Sequence, residues 1–266
     1  MERHITTAKC ITALRNFAAH DAGRFVLIAL FSAAFVFGCT PTNKRVSGGN
    51  DNAKSLKGNI PFYEVYGERY YVLSSNKGYK QEGVASWYGK KFHGKLTSNG
   101  EDYDMHAMTA AHKTLPLPST VRVTNLRNGR SVVVRVNDRG PFIDNRIIDM
   151  SYAAAKKLDM VQNGTTMVRV ESIGNSSRNE PVSYETSASD FGAIYMQVGA
   201  FGERANAQRL ADRISDGGIR DISIYDENGF SKVRIGPIKD VKEYDAIAQK
   251  MSALEIPQPH LVVEPR

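Results

Sequence analysis

The sequence predicts a mainly β domain followed by a smaller α+β domain, and three observations support this division. Residues 83–171 contain many short β-branched runs that are separated by turn residues and interrupted by one helical segment. Residues 172–190 are polar and rich in serine, which is typical of a linker between domains. From residue 194 the hydrophobic pattern alternates between strand and helix periods, so a second domain of different architecture is expected there.

The first domain contains a clear β-hairpin and one capped helix. The runs 120–124 and 131–136 flank Asn128-Gly129, a dipeptide that favours tight turns. Ser151 can cap a helix over residues 152–158, which are rich in alanine and lysine. Many short strands with a single helix predict a small closed barrel, because closure removes exposed sheet edges.

A segment rich in aromatic residues precedes these strands. The tyrosines and phenylalanine of residues 61–71 alternate in short pieces, which predicts an extended arm or edge hairpin packed on the first domain.

The final segment predicts strand 194–198, helix 203–215, strands 222–225 and 231–235, helix 241–253 and strand 261–263. This β-α-β-β-α-β order predicts a four-stranded sheet backed by two helices, as in ferredoxin- or RNP-like domains.

The N-terminal segment has the features of an export signal. An apolar run at 25–37 is shorter than the ~18 to 20 residues that span a bilayer, and Gly38 and Cys39 follow it directly. The sequence VFGC resembles the lipobox of bacterial lipoproteins, which implies that Cys39 is the lipidation site and that residues 1–38 are a signal peptide. A plain secretory signal is the alternative. Residues 39–60 are predicted to be a flexible tether.

Composition restricts the partners. The 266-residue chain carries a net charge of +7, but no basic run is interleaved with stacking aromatics, so no nucleic-acid partner is predicted. Both cysteines precede the predicted domains, which excludes a disulfide framework there. His93, His106 and His112 lack the spacing of a zinc site, so the sequence predicts neither a metal nor a cofactor.

Candidate chemistry is concentrated between Gly83 and Met160. Glu101 follows an Asn-Gly turn, His112 follows two alanines, and Asp138 lies in an Asn-Asp-Arg-Gly-Pro turn. Glycosidic bonds are cleaved by a carboxylic acid and a second proton-handling group, so these residues suit a polysaccharide-cleaving site. On residue type alone, a turn-bound aspartate, a solvated glutamate and a satisfied strand histidine are the structural alternatives.

Motifs in this segment identify a family. ASWYG, FHG, TSNGE, AMTAAHKTLP, VRVTN, VNDRGP and RIIDMSYAAA follow one another along the chain. The segment is very similar to the double-psi β-barrel domain of the rare lipoprotein A (RlpA) family, septal endolytic peptidoglycan lytic transglycosylases of bacterial envelopes. The motifs YMQVGAF and VRIGP further along resemble the sporulation-related (SPOR) domain. The implied domains are a barrel at 61–171 and a SPOR domain at 191–266.

The resemblance implies roles for the three candidate residues. Asp138 would be the acid/base that cleaves the bond between N-acetylmuramic acid and N-acetylglucosamine, with formation of a 1,6-anhydro sugar. Glu101 would tune the proton affinity of Asp138 or share the proton transfer, since two neighbouring carboxylates raise the pKa of one of them. His112 would orient an acid or steady charge at the sugar. An inverting hydrolase and a non-catalytic binding scaffold are the rival functions.

The remaining implied contacts concern substrate binding and location. Tyr88 is the sugar-facing candidate of the Trp87-Tyr88 pair, and Arg139 and Asp149 are expected to support the Asp138 turn by an ion pair. In the SPOR-like domain the glycan-contacting positions are Gln197, Phe201 and Arg234, for which a core role of Phe201 is the alternative. The implied partners are glycan strands that lack stem peptides, the membrane through the lipid on Cys39, and division-machinery proteins. Thr40 follows Cys39, which favours an outer-membrane anchor that faces the periplasm at the septum.

Overall fold

The computed structural model describes residues 57–173 and 192–264, which belong to one compact unit. The predicted signal peptide, the lipidation site and nearly all of the predicted linker lie outside the described residues. The described residues form twelve strands, three α-helices and a short 3-10 helix at Lys90–Phe92. None of the helices in the described residues is long and apolar enough to cross a bilayer.

Six strands form a closed barrel. These are β3 (Lys80–Trp87), β4 (Thr109–His112), β5 (Ser119–Asn125), β6 (Ser131–Asp138), β7 (Arg146–Met150) and β8 (Thr166–Ser172). Their order around the barrel is β3-β7-β4-β6-β5-β8. The pairs β3–β7 and β4–β6 are parallel, and the other four pairs are antiparallel. The predicted small closed barrel is therefore confirmed.

The barrel interior is apolar because alternate residues of the β-branched runs point inward. Val121, Val134, Val136 and Ile148 are at most 1 % exposed and pack together there. Burial of each such side chain stabilises the fold by about 1.5 to 3 kcal/mol. The predicted helix is α1 (Tyr152–Lys157), and its cap is as expected because the Ser151 hydroxyl accepts a hydrogen bond from the Ala154 amide.

The segment rich in aromatic residues forms a hairpin that packs on the barrel. Strands β1 (Phe62–Val65) and β2 (Glu68–Tyr71) pair antiparallel. The Tyr63 and Tyr70 rings stack with their centroids 5.4 Å apart, and both contact Phe142 just beyond the Asp138 turn. The prediction of an edge hairpin on the first domain is confirmed, and the hairpin lies beside the candidate site.

The C-terminal elements follow the predicted order. They are β9 (Ile194–Phe201), α2 (Arg204–Asp216), β10 (Ile222–Glu227), β11 (Phe230–Ile235), α3 (Val241–Ala253) and β12 (His260–Val263). The sheet order is β10-β11-β9-β12, and all its pairs are antiparallel. Arg146 in the barrel makes two hydrogen bonds of 2.9 and 2.8 Å to the Asp245 carboxylate of α3, so an ion pair joins the two sets of elements.

Candidate active site

The Asp138 carboxylate lies at the C-terminal end of β6 and is held at one oxygen. Its Oδ1 accepts hydrogen bonds from the Ser98 amide at 2.8 Å, the Ser98 hydroxyl at 2.6 Å and the Arg139 amide at 2.8 Å. Gly140 follows with φ +135°, a backbone conformation that other residues rarely adopt. Asp138 is half-buried, and no hydrogen bond from the described residues reaches Oδ2. Oδ2 is therefore the oxygen available for proton exchange.

The Glu101 carboxylate binds a different set of donors from Asp138. It accepts hydrogen bonds from Arg135 at 2.7 Å, Asn137 at 2.8 Å and Asn99 at 2.8 Å. The pairing of β6 with β4 skips Asn137, since Val136 is paired with Ala110 and Asp138 with Ala111, so the register shifts between the donors of Glu101 and Asp138 itself. The expected direct pairing of the Glu101 and Asp138 carboxylates is not found, and the two residues instead hold the ends of the loop 97–101.

The lowered pKa of Glu101 also argues against a role as a proton donor. Burial alone would raise the pKa of its carboxyl, but the hydrogen bonds from Arg135, Asn137 and Asn99 outweigh burial and lower the pKa. Glu101 thus stays ionised and anchors the loop whose Ser98 holds Asp138. The geometry gives it a positioning role.

We expect Glu101→Ala to lower kcat for strand cleavage by about 100-fold, because a catalytic group displaced by about 1 Å loses that much. Strand binding should stay close to that of the unaltered protein. Steady-state kinetics would separate kcat from KM, and Glu101→Gln, which keeps an acceptor for Asn137, should recover part of kcat. A complete loss in Glu101→Gln would instead indicate direct proton transfer by this residue.

His112 lies inside the barrel rather than at its surface. Only 2 % of the residue is exposed. Its Nδ1 accepts hydrogen bonds from the Thr114 and Leu115 amides at 3.1 and 3.0 Å, and Nε2 lies 2.8 Å from the Tyr79 hydroxyl. The expectation that His112 steadies charge at the sugar does not fit this placement. Its hydrogen bonds shape the chain after β4.

The buried His112 ring is neutral. Burial, and then the charges of Arg139 and Lys113, lower its pKa from the ordinary 6.5 to about 3. In the unfolded chain the ring takes up a proton below about pH 6.5, whereas in the folded protein it does so only near pH 3. The stability that His112 contributes is therefore fully present above pH 6.5 and is lost as the pH falls towards 3.

Urea unfolding between pH 3 and 8 would measure this effect. We expect the free energy of unfolding to fall by up to about 1.4 kcal/mol per pH unit between pH 6.5 and 3 through this group. His112→Asn keeps an acceptor for the Thr114 and Leu115 amides but does not titrate, so its curve should be flatter. Identical pH slopes in the two proteins would show that His112 is charged in the folded state.

Arg139 supports the Asp138 turn, but not through Asp149. Its guanidinium donates to the carbonyl oxygens of Gly58, His112 and Leu115. The predicted ion pair between Arg139 and Asp149 is wrong, because these carbonyls take up the donors. Arg139 instead ties the beginning of the described chain and the segment after β4 to the turn.

The aromatic pair has the opposite exposure from the one expected. Tyr88 is only 9 % exposed, and its ring stacks on Tyr103 with the centroids 4.1 Å apart. Trp87 is half-buried and contacts Tyr152 at 5.7 Å. The Tyr88 ring face is covered by protein, so the structure does not support the predicted ring-face contact of Tyr88 with a sugar.

The C-terminal sheet places two of its three candidate residues together. Gln197 of β9 is paired with Arg234 of β11, and both lie on the face away from the helices. The Arg234 guanidinium lies 4.5 Å over the Tyr225 ring and donates to Glu264 at 2.7 Å. Phe201 lies on the helix-facing side, where it packs against the core near Leu210, so its prediction as a surface contact is wrong.

Sequence reasoning missed several residues of these sites. Ser98, Arg135 and Asn137 carry the hydrogen bonds of the two carboxylates, and Tyr225 covers Arg234. The strand alternation of β6 could have placed Arg135 and Asn137 on one face. Within residues 57–173 and 192–264, no group of three or more His, Cys, Asp or Glu side chains is arranged to hold a metal ion.

Comparison with known proteins adds two family models, in the order that the motifs predict. A model described as "Lytic transglycolase" matches residues 80–170, and a model described as "SPOR domain" matches residues 191–262. Proteins named "Endolytic peptidoglycan transglycosylase RlpA" match between 42% and 61% of this chain. The chain is similar to the RlpA family. The described fold is accordingly a double-psi β-barrel followed by a SPOR domain.

Three family relatives show how far the likeness extends. The Vibrio cholerae protein is 61% identical over 119 residues, which are 45% of this chain and 45% of that protein. The Pseudomonas aeruginosa PA14 protein is 62% identical over 111 residues, 42% of this chain and 33% of that protein. The Campylobacter jejuni protein is 46% identical over 177 residues, 61% of this chain and 64% of that protein. The matches thus span between a third and two thirds of the relatives' length.

Proposed function

We propose that this protein is an endolytic lytic transglycosylase that cleaves peptidoglycan between N-acetylmuramic acid and N-acetylglucosamine. The observation that carries the proposal is the Asp138 carboxylate, which is fixed at Oδ1, receives no hydrogen bond from the described residues at Oδ2, and lies on a barrel that matches the lytic transglycosylase model. The names of the family relatives support the same activity.

The reaction needs proton transfers but no water. The glycosidic oxygen takes a proton as its bond to C1 of the muramic acid breaks, and an oxocarbenium-like centre develops. The muramic 6-hydroxyl then attacks C1 and gives up its proton, so the product is a 1,6-anhydro ring. A carboxyl group that is held in place and can exchange a proton at one oxygen serves this chemistry, and Asp138 has that arrangement.

The C-terminal sheet would bind the strand. Tyr225 of the edge strand β10 is 45 % exposed and stacks on Arg234 of the neighbouring strand on the outer face, where Gln197 of β9 offers an amide. An aromatic face that covers a sugar ring beside hydrogen-bonding groups is typical of carbohydrate recognition. The substrate would be strands without stem peptides, and the Cys39 lipid would hold the enzyme at the outer membrane of the septum beside division proteins.

Tyr225→Ala should weaken binding of the full protein to denuded strands by about 5-fold, because one aromatic contact contributes about 1 kcal/mol. Co-sedimentation with amidase-treated peptidoglycan would measure the change. Tyr66→Ala is the matched control, since Tyr66 is 93 % exposed at the tip of the β1–β2 hairpin. Equal weakening by the two substitutions would indicate non-specific adsorption instead.

The proposed activity is tested by incubation of the purified protein with peptidoglycan before and after amidase treatment. We expect soluble fragments to be released faster from the treated material. Binding of the treated strands without release would favour the rival function, a non-catalytic scaffold.

A further inference from the structure

A second carboxylate shares a row of side chains with Asp138. Ser86 of β3 is paired with Asp149 of β7, Asp149 with Ala111 of β4, and Ala111 with Asp138 of β6. Residues that pair across neighbouring strands point to the same face of a sheet. Four adjacent strands of the barrel therefore present Ser86, Asp149, Ala111 and Asp138 on one face.

The spacing in this row suits two groups that act on one bond. Neighbouring strands lie about 4.8 Å apart, so the Cα atoms of Asp138 and Asp149 are separated by roughly 10 Å. Ala111 between them contributes only a methyl group, so no long side chain from β4 separates the two carboxyls. Carboxyl pairs that flank a glycosidic bond are about 5 to 9.5 Å apart, which side chains leaning from these positions can reach. Both aspartates are half-buried and retain exposed surface.

The same two aromatic rings lie close to both carboxylates. Burial raises the pKa of Tyr103 to about 12, and the charges of Asp149 and Asp138 both add to this shift. Burial also raises the pKa of Tyr88, to which both aspartates again contribute. Tyr88 and Tyr103, whose rings stack on each other, thus lie near both carboxylates.

The two carboxylates differ in their surroundings. Asp149 accepts a hydrogen bond from the Ser86 hydroxyl. Burial raises its pKa, the Asp138 charge adds to the rise, and the Ser86 bond and the Arg146 and Lys113 charges oppose it. Asp138 instead has three donors on Oδ1, and no hydrogen bond from the described residues reaches its Oδ2. Different surroundings of two neighbouring carboxyl groups are typical of an acid and a base that act together.

We propose that Asp149 is a second catalytic residue, which protonates the leaving glycosidic oxygen while Asp138 accepts the proton of the attacking 6-hydroxyl. This inference rests on the proposed function. The Asp149 proton goes to the departing N-acetylglucosamine oxygen as the bond from C1 to oxygen breaks. The 6-oxygen forms the new bond to C1, and its proton passes to Asp138 Oδ2. Exchange with solvent then returns Asp138 to the ionised form and Asp149 to the protonated form.

The division of roles is tested with two substrates that end in the same muramic acid. One is a glycan strand, and the other is an aryl glycoside whose phenolic leaving group needs no acid. We expect Asp149→Asn to lower kcat/KM on strands by about 10² to 10⁴-fold but to keep activity on the aryl substrate within about 10-fold. Asp138→Asn should lose activity on both substrates.

Controls distinguish the loss of a catalytic group from loss of charge, unfolding of the variant and failure of the proposed function. Asp144→Asn removes an exposed carboxylate from the same neighbourhood and should leave both activities unchanged. Thermal unfolding would confirm that each variant is folded. Full strand cleavage by Asp149→Asn, or equal losses on both substrates, would overturn the inference while the proposed function stands. Absence of cleavage by the unaltered protein would overturn both.

Discussion

Asp138→Asn should abolish strand cleavage without unfolding the protein. The asparagine Oδ1 can still accept hydrogen bonds from the Ser98 amide and hydroxyl and from the Arg139 amide, so the turn keeps its shape. The amide nitrogen that replaces Oδ2 cannot act as a general acid or a general base. General acid/base groups typically contribute about 10² to 10⁴-fold to rate, and we expect a loss of this size in kcat.

Fragment release from denuded peptidoglycan would measure this loss. Strand binding should remain, because Tyr225 and Arg234 lie on a separate sheet. Asp144→Asn, at an exposed position a few residues away, is the matched control for removal of a negative charge. Cleavage by Asp138→Asn at the rate of the unaltered protein would rule out Asp138 as the acid/base.

Arg139→Lys should cause the largest loss of stability. The planar guanidinium donates in several directions at once to Gly58, His112 and Leu115, whereas a lysine ammonium is a point donor that cannot reach all three carbonyls. Each buried carbonyl that is left without a partner costs about 1 to 3 kcal/mol. We therefore expect the free energy of unfolding to fall by about 2 to 4 kcal/mol, as measured by urea unfolding at pH 7.

Arg130→Lys provides the comparison for Arg139→Lys. Arg130 forms a surface ion pair with Asp159 and is half exposed, so its substitution should change stability by less than about 0.5 kcal/mol. Limited proteolysis would show whether the β1–β2 hairpin loosens in Arg139→Lys, because Arg139 binds the chain just before it. Equal stability of the two variants would mean that the Arg139 hydrogen bonds do not hold the turn.

Features set by local sequence were predictable. The Asn128-Gly129 turn, the Ser151 cap and helix α3 (Val241–Ala253) depend on neighbouring residues, and the structure has them where expected. The orientation of the site depends on distant contacts. Glu101 and Asp138 both lie at turns, but the path of the loop 97–101 and the register shift between β4 and β6 bring them different donors.

Two further differences have local physical causes that the pattern did not reveal. The pairing of β9 with β11 shifts between Arg234 and Val233, so that Gln197 and Gly199 oppose consecutive residues. This bulge reverses the alternation and turns Phe201 towards the helices. The residues next to His112 in the sequence do not distinguish a buried histidine from an exposed one. His112 is buried because the barrel closes around it.

The mass of the cleavage products tests the central claim most directly. Denuded strands would be digested with the purified protein in water enriched in oxygen-18, and the new ends would be identified by mass spectrometry. A lytic transglycosylase gives anhydro-muramic ends that are lighter by one water molecule than reducing ends and contain no heavy oxygen. Reducing ends that carry oxygen-18 would instead identify a hydrolase and contradict the proposed function.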